Sequence, residues 1–226
     1  MMIYVITFVL AFCSIVYELL LGQTLSAFLG NTVLRYSVTI GLYMMSLGIG
    51  SMIAEGRFVR HPVTSLLRVE MALTVVGGGC VVFLFYVNAI GVPPVMLSVI
   101  AHALIIVIGV LSGFEIPLLI SLKNRKAENR DNAIIGVNYL GAFLGTIVFA
   151  FVLYPFVGLV PTAFMVAFLN AIVGVLLLTQ GKHVDVSQGR QYRTMLGVAA
   201  AMVLGLGYCL SASEQIGESV LNLYLA

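Results

Sequence analysis

The sequence predicts an all-α, polytopic membrane protein: a bundle of seven transmembrane helices, with the N-terminus in and the C-terminus out. Three observations predict it. Of 226 residues, 61% are hydrophobic and only 9% charged, and mean hydropathy is +1.12; an ordinary soluble domain carries about 25% charged residues. Seven apolar runs approach the roughly 20 residues needed to cross a bilayer. Ten of the eleven Lys and Arg residues fall on one side once those runs alternate.

The runs are taken in order. Helix 1 is expected at Ile3–Leu21, helix 2 at Tyr36–Ala54, helix 3 at Val63–Val87 and helix 4 at Val95–Leu122. Helix 5 follows at Asn132–Tyr154, helix 6 at Pro161–Thr179 and helix 7 at Thr194–Leu210. Pro62, Pro93-Pro94 and Pro161 stand at helix starts, where a missing N–H is best tolerated. The first run has no basic flank and contains Tyr17-Glu18, so it reads as a retained helix and not a cleaved signal peptide. Arg57, Arg60 and Arg68 follow helix 2, Lys123, Arg125, Lys126 and Arg130 follow helix 4, and Lys182, Arg190 and Arg193 follow helix 6. Only Arg35 lies opposite, and the positive-inside rule sets the orientation. Residues 1–210 form one transmembrane domain. Residues 211–226 are too short and polar to span; Ser211 with Glu214 fits a capping box, and a short outward helix on the interface is expected.

Small residues mark helix contacts. Gly141 and Gly145, the repeat Ala163, Ala167 and Ala171, and the group Ser46, Gly48 and Gly50 let backbones approach closely in lipid. Gly77-Gly78-Gly79 looks like a phosphate loop but has no preceding strand and lies mid-helix. Tight packing or a local bend explains it better. Cys13, Cys80 and Cys209 lie in separate apolar runs without a CxxC or Cys/His spacing, so no metal and no redox pair is expected. No HExxH or GxSxG pattern occurs, and no catalytic residue is assigned. A net charge of +2 gives no reason to expect a nucleic-acid partner.

Ionisable side chains in a bilayer are expensive and usually face a cavity or a partner. Glu115 stands two residues before Pro117 in helix 4. Pro117 has no N–H for the Gly113 carbonyl, so the helix is expected to break over Gly113–Pro117. Glu70, Glu115 and Asn138 are each about two turns from the inner ends of their helices and are expected to converge. Glu18 is expected near the outer end of helix 1, within reach of Arg35; Glu70 has Arg68 nearby. His102 stands alone and reads as hydrogen-bonded to a neighbouring helix.

Several segments together resemble the membrane domain of transmembrane spermidine synthase-like proteins, the polyamine aminopropyltransferase family. They are Ser14-Ile-Val-Tyr17-Glu18, then Leu29-Gly30, and Gly41-Leu-Tyr-Met-Met-Ser-Leu-Gly48-Ile-Gly50-Ser51. Gly113-Phe-Glu115-Ile-Pro117 and Asn138-Tyr-Leu-Gly141-Ala-Phe-Leu-Gly145 follow, with Leu153-Tyr-Pro155 and Gly158. The likeness runs through helices 1 to 6. It implies a multi-pass protein of a cell membrane, the bacterial inner membrane, with polyamine-related chemistry. Family members usually continue into a Rossmann-like domain; no strand, Gly-rich loop and helix unit occurs up to Ala226, so none of the family's catalytic residues carries over and no cofactor is expected.

The leading expectation is a non-catalytic membrane module that binds, passes or scaffolds a cationic small molecule such as a polyamine. Glu115, Glu70, Asn138, Glu18 and Tyr17 are the candidate ligand-binding residues. The lipid bilayer, a homo-oligomer or a separate aminopropyltransferase-like enzyme subunit are the candidate partners. The alternative is a secondary transporter or half-transporter with its site at broken helix 4, because discontinuous helices with acidic residues build many transport sites.

Overall fold

A computed structural model describes residues 2–124, 131–177, 189–212 and 215. The described residues are helical with no strand. The helices are α1 (Met2–Leu29), α2 (Thr32–Ile53), α3 (Arg57–Arg60), α4 (Pro62–Ala89), α5 (Pro94–Gly113), α6 (Glu115–Asn124) and α7 (Asp131–Val148). A π-helix (Phe149–Val157), α8 (Leu159–Leu176) and α9 (Gly189–Ser211) complete them. Seven helical stretches are long and apolar enough to cross a membrane, α5–α6 and α7 with the π-helix each counting as one. The expected tail helix over 211–226, and Arg125, Lys126 and Arg130, lie wholly or almost wholly outside the described residues.

Several boundaries differ from the sequence expectation for local reasons. α1 runs eight residues past Leu21, because Thr24 Oγ1 donates to the Leu20 carbonyl at 2.7 Å and its polarity is met within the helix. It stops where Gly30 and Asn31 adopt left-handed backbone. Asn31 then caps α2, accepting from the Leu34 N–H at 3.3 Å. The break in helix 4 falls at Phe114, whose N–H turns tightly onto Leu111 O at 3.1 Å. Pro117 thereby lands in the first turn of α6, where its missing N–H is harmless. The expected regular helix 5 ends in π-helix. Pro155 offers no donor there, and the Gly158 N–H reaches back five residues to Leu153 O at 2.8 Å. Gly158, at φ 86°, then turns the chain into α8.

The helix pairs are set by small residues. A Cβ on Gly141 would strike the Phe8 carbonyl and one on Gly145 the Ile15 side chain, so both glycines face α1. Both numbers rise together, which makes α1 and α7 parallel. Gly109 lies against Tyr43 and Ser46, and Gly113 against Leu47 and Gly50, so α2 and α5 are also parallel and nearly touch backbone to backbone. Gly78 faces Ala167 while Gly174 faces Leu67, so α4 and α8 are antiparallel. Gly174 also faces Ala199 and Gly207 faces Phe168, so α8 and α9 run antiparallel. Of the expected packing residues, Ala163, Ala167 and Ala171 are buried. Gly48 meets nothing, unlike Ser46 and Gly50. Gly77 packs on the Tyr17 ring and Gly78 on Ala167, while Gly79 is open, so the glycine run serves helix contact.

α1 is the central element. It contacts α2, α4, α5, α6, α7 and α8, and its buried residues include Ile6, Leu10, Val16, Tyr17, Leu20 and Leu21. Two polar positions on it, Glu18 and Tyr17, are adjacent in sequence and face different neighbours.

Candidate functional site: a pocket with two buried carboxylates

A cavity of 460 Å³ opens between α1, α2, α7 and the α5–α6 break. Helical periodicity places its lining. Ser14 and Glu18 are four apart on α1, Tyr43 and Leu47 four apart on α2, and Asn138, Ala142 and Thr146 form one stripe on α7. Ser112 and Glu115 flank the break at Phe114. The break brings Glu115 to the pocket at the start of a new helix.

Both carboxylates are deeply buried: Glu115 is 4% and Glu18 6% exposed. Among the described residues neither has a hydrogen bond or an ion pair, and no Lys, Arg or His lines the cavity. One edge is held by the Tyr43 hydroxyl. It lies 2.9 Å from Ser14 Oγ, 3.0 Å from the Ser14 carbonyl and 3.0 Å from Ser112 Oγ. That three-way junction ties α1, α2 and α5 together at the pocket wall. A cavity of this size with two acids, several hydroxyls, one amide and apolar methylene-bearing walls fits an extended amine: charge at the ends, hydrocarbon between.

The candidate residues divide as follows. Glu18, Glu115 and Asn138 share the pocket lining; Tyr17 and Glu70 do not. Glu70 is 1% exposed on α4, which packs against α6, and lies outside the cavity wall. Arg68 points outward and leaves Glu70 unpaired. The Glu18–Arg35 pair does not form: α1 continues to Leu29, so Glu18 sits near the middle of that helix, and Arg35 Nε has no partner. His102 bonds within α5, its Nδ1 lying 2.5 Å from Ser98 O. Lys123 is buried over the Tyr4 ring at 5.0 Å, away from the pocket. Sequence reasoning missed Tyr43, Ser14, Ser112 and Thr146. Hydroxyls are common in apolar helices, and only their convergence on one cavity distinguishes these four. No group of His, Cys, Asp or Glu suited to a metal occurs among the described residues.

The fold and this pocket define a class: a bundle of long apolar helices enclosing a chamber lined by two carboxylates. No family model matches the chain, and no solved structure matches it. Curated proteins do. Polyamine aminopropyltransferase 2 of Ralstonia nicotianae is 35% identical over 173 residues, covering 74% of this chain and 33% of that protein. Polyamine aminopropyltransferase 2 of Streptomyces coelicolor is 33% identical over 212 residues, 88% of this chain and 37% of that protein. The Leptospira interrogans polyamine aminopropyltransferase is 31% identical over 181 residues, 77% and 34%. The chain therefore belongs to the polyamine aminopropyltransferase, or spermidine synthase-like, family, and it spans about a third of the length of the curated relatives it matches.

Proposed function

We propose that this chain is an integral membrane module of the spermidine synthase-like family that binds a cationic amine of the polyamine class between Glu18 and Glu115. One observation carries the reading: two buried carboxylates without a hydrogen bond or an ion pair among the described residues line one cavity of 460 Å³. An uncompensated buried carboxylate is strongly unfavourable, and a bound ammonium offsets that cost more completely than a hydrogen bond does. Asn138 and the Ser14, Tyr43 and Ser112 hydroxyls supply neutral partners for further N–H groups. The names of the relatives support an amine ligand; the module's role is binding or passing it, non-catalytically, to an enzyme domain or a separate subunit.

Labelled spermidine binding to the purified protein tests this. Glu115→Gln and Glu18→Gln should each weaken binding roughly tenfold or more, as loss of one buried charge contact implies, while the protein stays folded. Unchanged affinity in both variants would end the amine reading.

The seven apolar stretches and the ten-to-one basic asymmetry support a multi-pass protein of the bacterial inner membrane with N-terminus in and C-terminus out. The helix directions agree with alternate crossing: α1 with α7, and α2 with α5, pair spans of the same parity and are parallel, whereas α4–α8 and α8–α9 pair opposite parities and are antiparallel. An impermeant thiol reagent on intact cells should label Ser219→Cys and leave Arg125→Cys unlabelled; the reverse pattern refutes this orientation. A second reading, a secondary transporter, is favoured by one feature, the helix break directly beside Glu115. Spermidine uptake into proteoliposomes separates it from a module that only binds.

A further inference from the structure

A second polar cluster lies outside the pocket lining, where α1, α4 and α8 meet. Nine buried side-chain polar atoms lack a hydrogen-bond partner among the described residues, and six of them belong to four residues: both Glu70 oxygens, Tyr17 Oη, Thr74 Oγ1, and both amide atoms of Asn170. All four side chains are almost fully buried, between 0% and 3% exposed. Native interiors rarely leave such groups unmet.

The helix register brings them together. Glu70, Thr74 and Gly77 follow one face of α4 at spacings of four and three. The Tyr17 ring rests on Gly77, about one turn beyond Thr74. On α8, Ala167 faces Gly78 and Gly174 faces Leu67, so Asn170 falls between them, opposite the stretch that holds Glu70 and Thr74. Thr74 adds a local sign. Thr7, Thr24 and Thr146 each donate to the carbonyl four residues earlier in their helices, at 2.9, 2.7 and 3.0 Å. Thr74 makes no such bond, and its oxygen is left for something else.

We propose that Glu70, Thr74, Tyr17 and Asn170 form a site for a small, dehydrated monovalent cation of the sodium type. The donor set is one carboxylate with neutral hydroxyl and amide oxygens, hard oxygen ligands of the kind alkali and alkaline-earth cations take. A single formal negative charge matches a single positive one. A cation gathers four or five oxygens at once. A proton on Glu70 satisfies one pair and leaves the other oxygens without a partner. None of Glu70, Thr74, Tyr17 and Asn170 lines the amine pocket.

The test is radioactive sodium binding and thermal unfolding of the purified full chain in detergent, with choline chloride replacing sodium chloride at fixed ionic strength. One saturable sodium per chain and an unfolding midpoint that rises with sodium are expected. Thr74→Val, nearly isosteric, should weaken sodium binding about tenfold, and Glu70→Gln should abolish it. Glu115→Gln should lose spermidine binding while keeping the sodium response, so failure of the amine reading and failure of this one are separable. If Glu70→Gln does not fold, the Thr74→Val and Asn170→Leu titrations decide. A midpoint that follows pH and ignores sodium, or wild-type sodium affinity in Thr74→Val, overturns the cation site.

Discussion

The two sides of α1 each bury an acid and solve the problem differently. Toward α2 and α7 the packing is tight at Gly141 and Gly145 yet leaves 460 Å³ beside Glu18 and Glu115. Toward α4 and α8 it is close: Tyr17 lies on Gly77, Cys13 Sγ sits 3.8 Å from Val166 O, and Gly78 meets Ala167. Glu70 is buried there. The difference traces to side-chain size at facing positions. On the α4 and α8 side glycine and alanine let backbones close up. On the pocket side α7 is held at Gly141 and Gly145, while Ala142 and Thr146, on the adjacent stripe, leave a gap. α1 therefore borders a cavity on one face and a closed contact on the other within one continuous helix.

Substitutions that exchange the two characters test that comparison. Gly77→Leu should have the largest effect, because even a Cβ there would lie 2.5 Å from Tyr17 Cζ. Overpacking of this kind destabilises by about 1–3 kcal/mol, read as a lower melting temperature and yield, whereas Gly79→Ala, with nothing within 4 Å, should be neutral. Equal behaviour of the two would mean α4 is not seated against α1 as described. Ala142→Leu fills the chamber from α7. It should leave the melting temperature near wild type yet reduce spermidine binding at least several-fold; intact binding would show that the ligand sits elsewhere. Tyr43→Phe is the mildest. It removes the hydroxyl shared by Ser14 and Ser112, for about 1 kcal/mol and a small loss of affinity, measured by unfolding and by the same binding assay.

Much of this was legible in the residues. Hydrophobic length alone located all seven apolar stretches, since about 20 apolar residues is a requirement of bilayer thickness and not of any partner helix. Charge position supplied the orientation argument. Gly141 and Gly145 declared a helix contact by spacing, and Glu115 and Asn138, on consecutive spans, line one cavity. The register of the break was not legible. Pro117 signals that a helix is interrupted nearby, but Phe114 is where the turn tightens, because Gly113 is pressed against Leu47 and Gly50 of α2. The π-helix was also hidden, although Pro155 and Gly158 are its chemical causes.

What the sequence determined by itself is the inventory: long apolar helices, a few acids within them, and small residues at fixed intervals. Which acid meets which cavity was decided only by tertiary structure. Glu18 looked terminal and proved central because α1 extends to Leu29. Glu70 was expected to converge with Glu115 and Asn138, and it does not line the cavity they share. The physical reason is rotational. Adjacent helical residues such as Tyr17 and Glu18 point about 100° apart, and the partner on each side is selected by packing with helices distant in sequence, which no local pattern encodes.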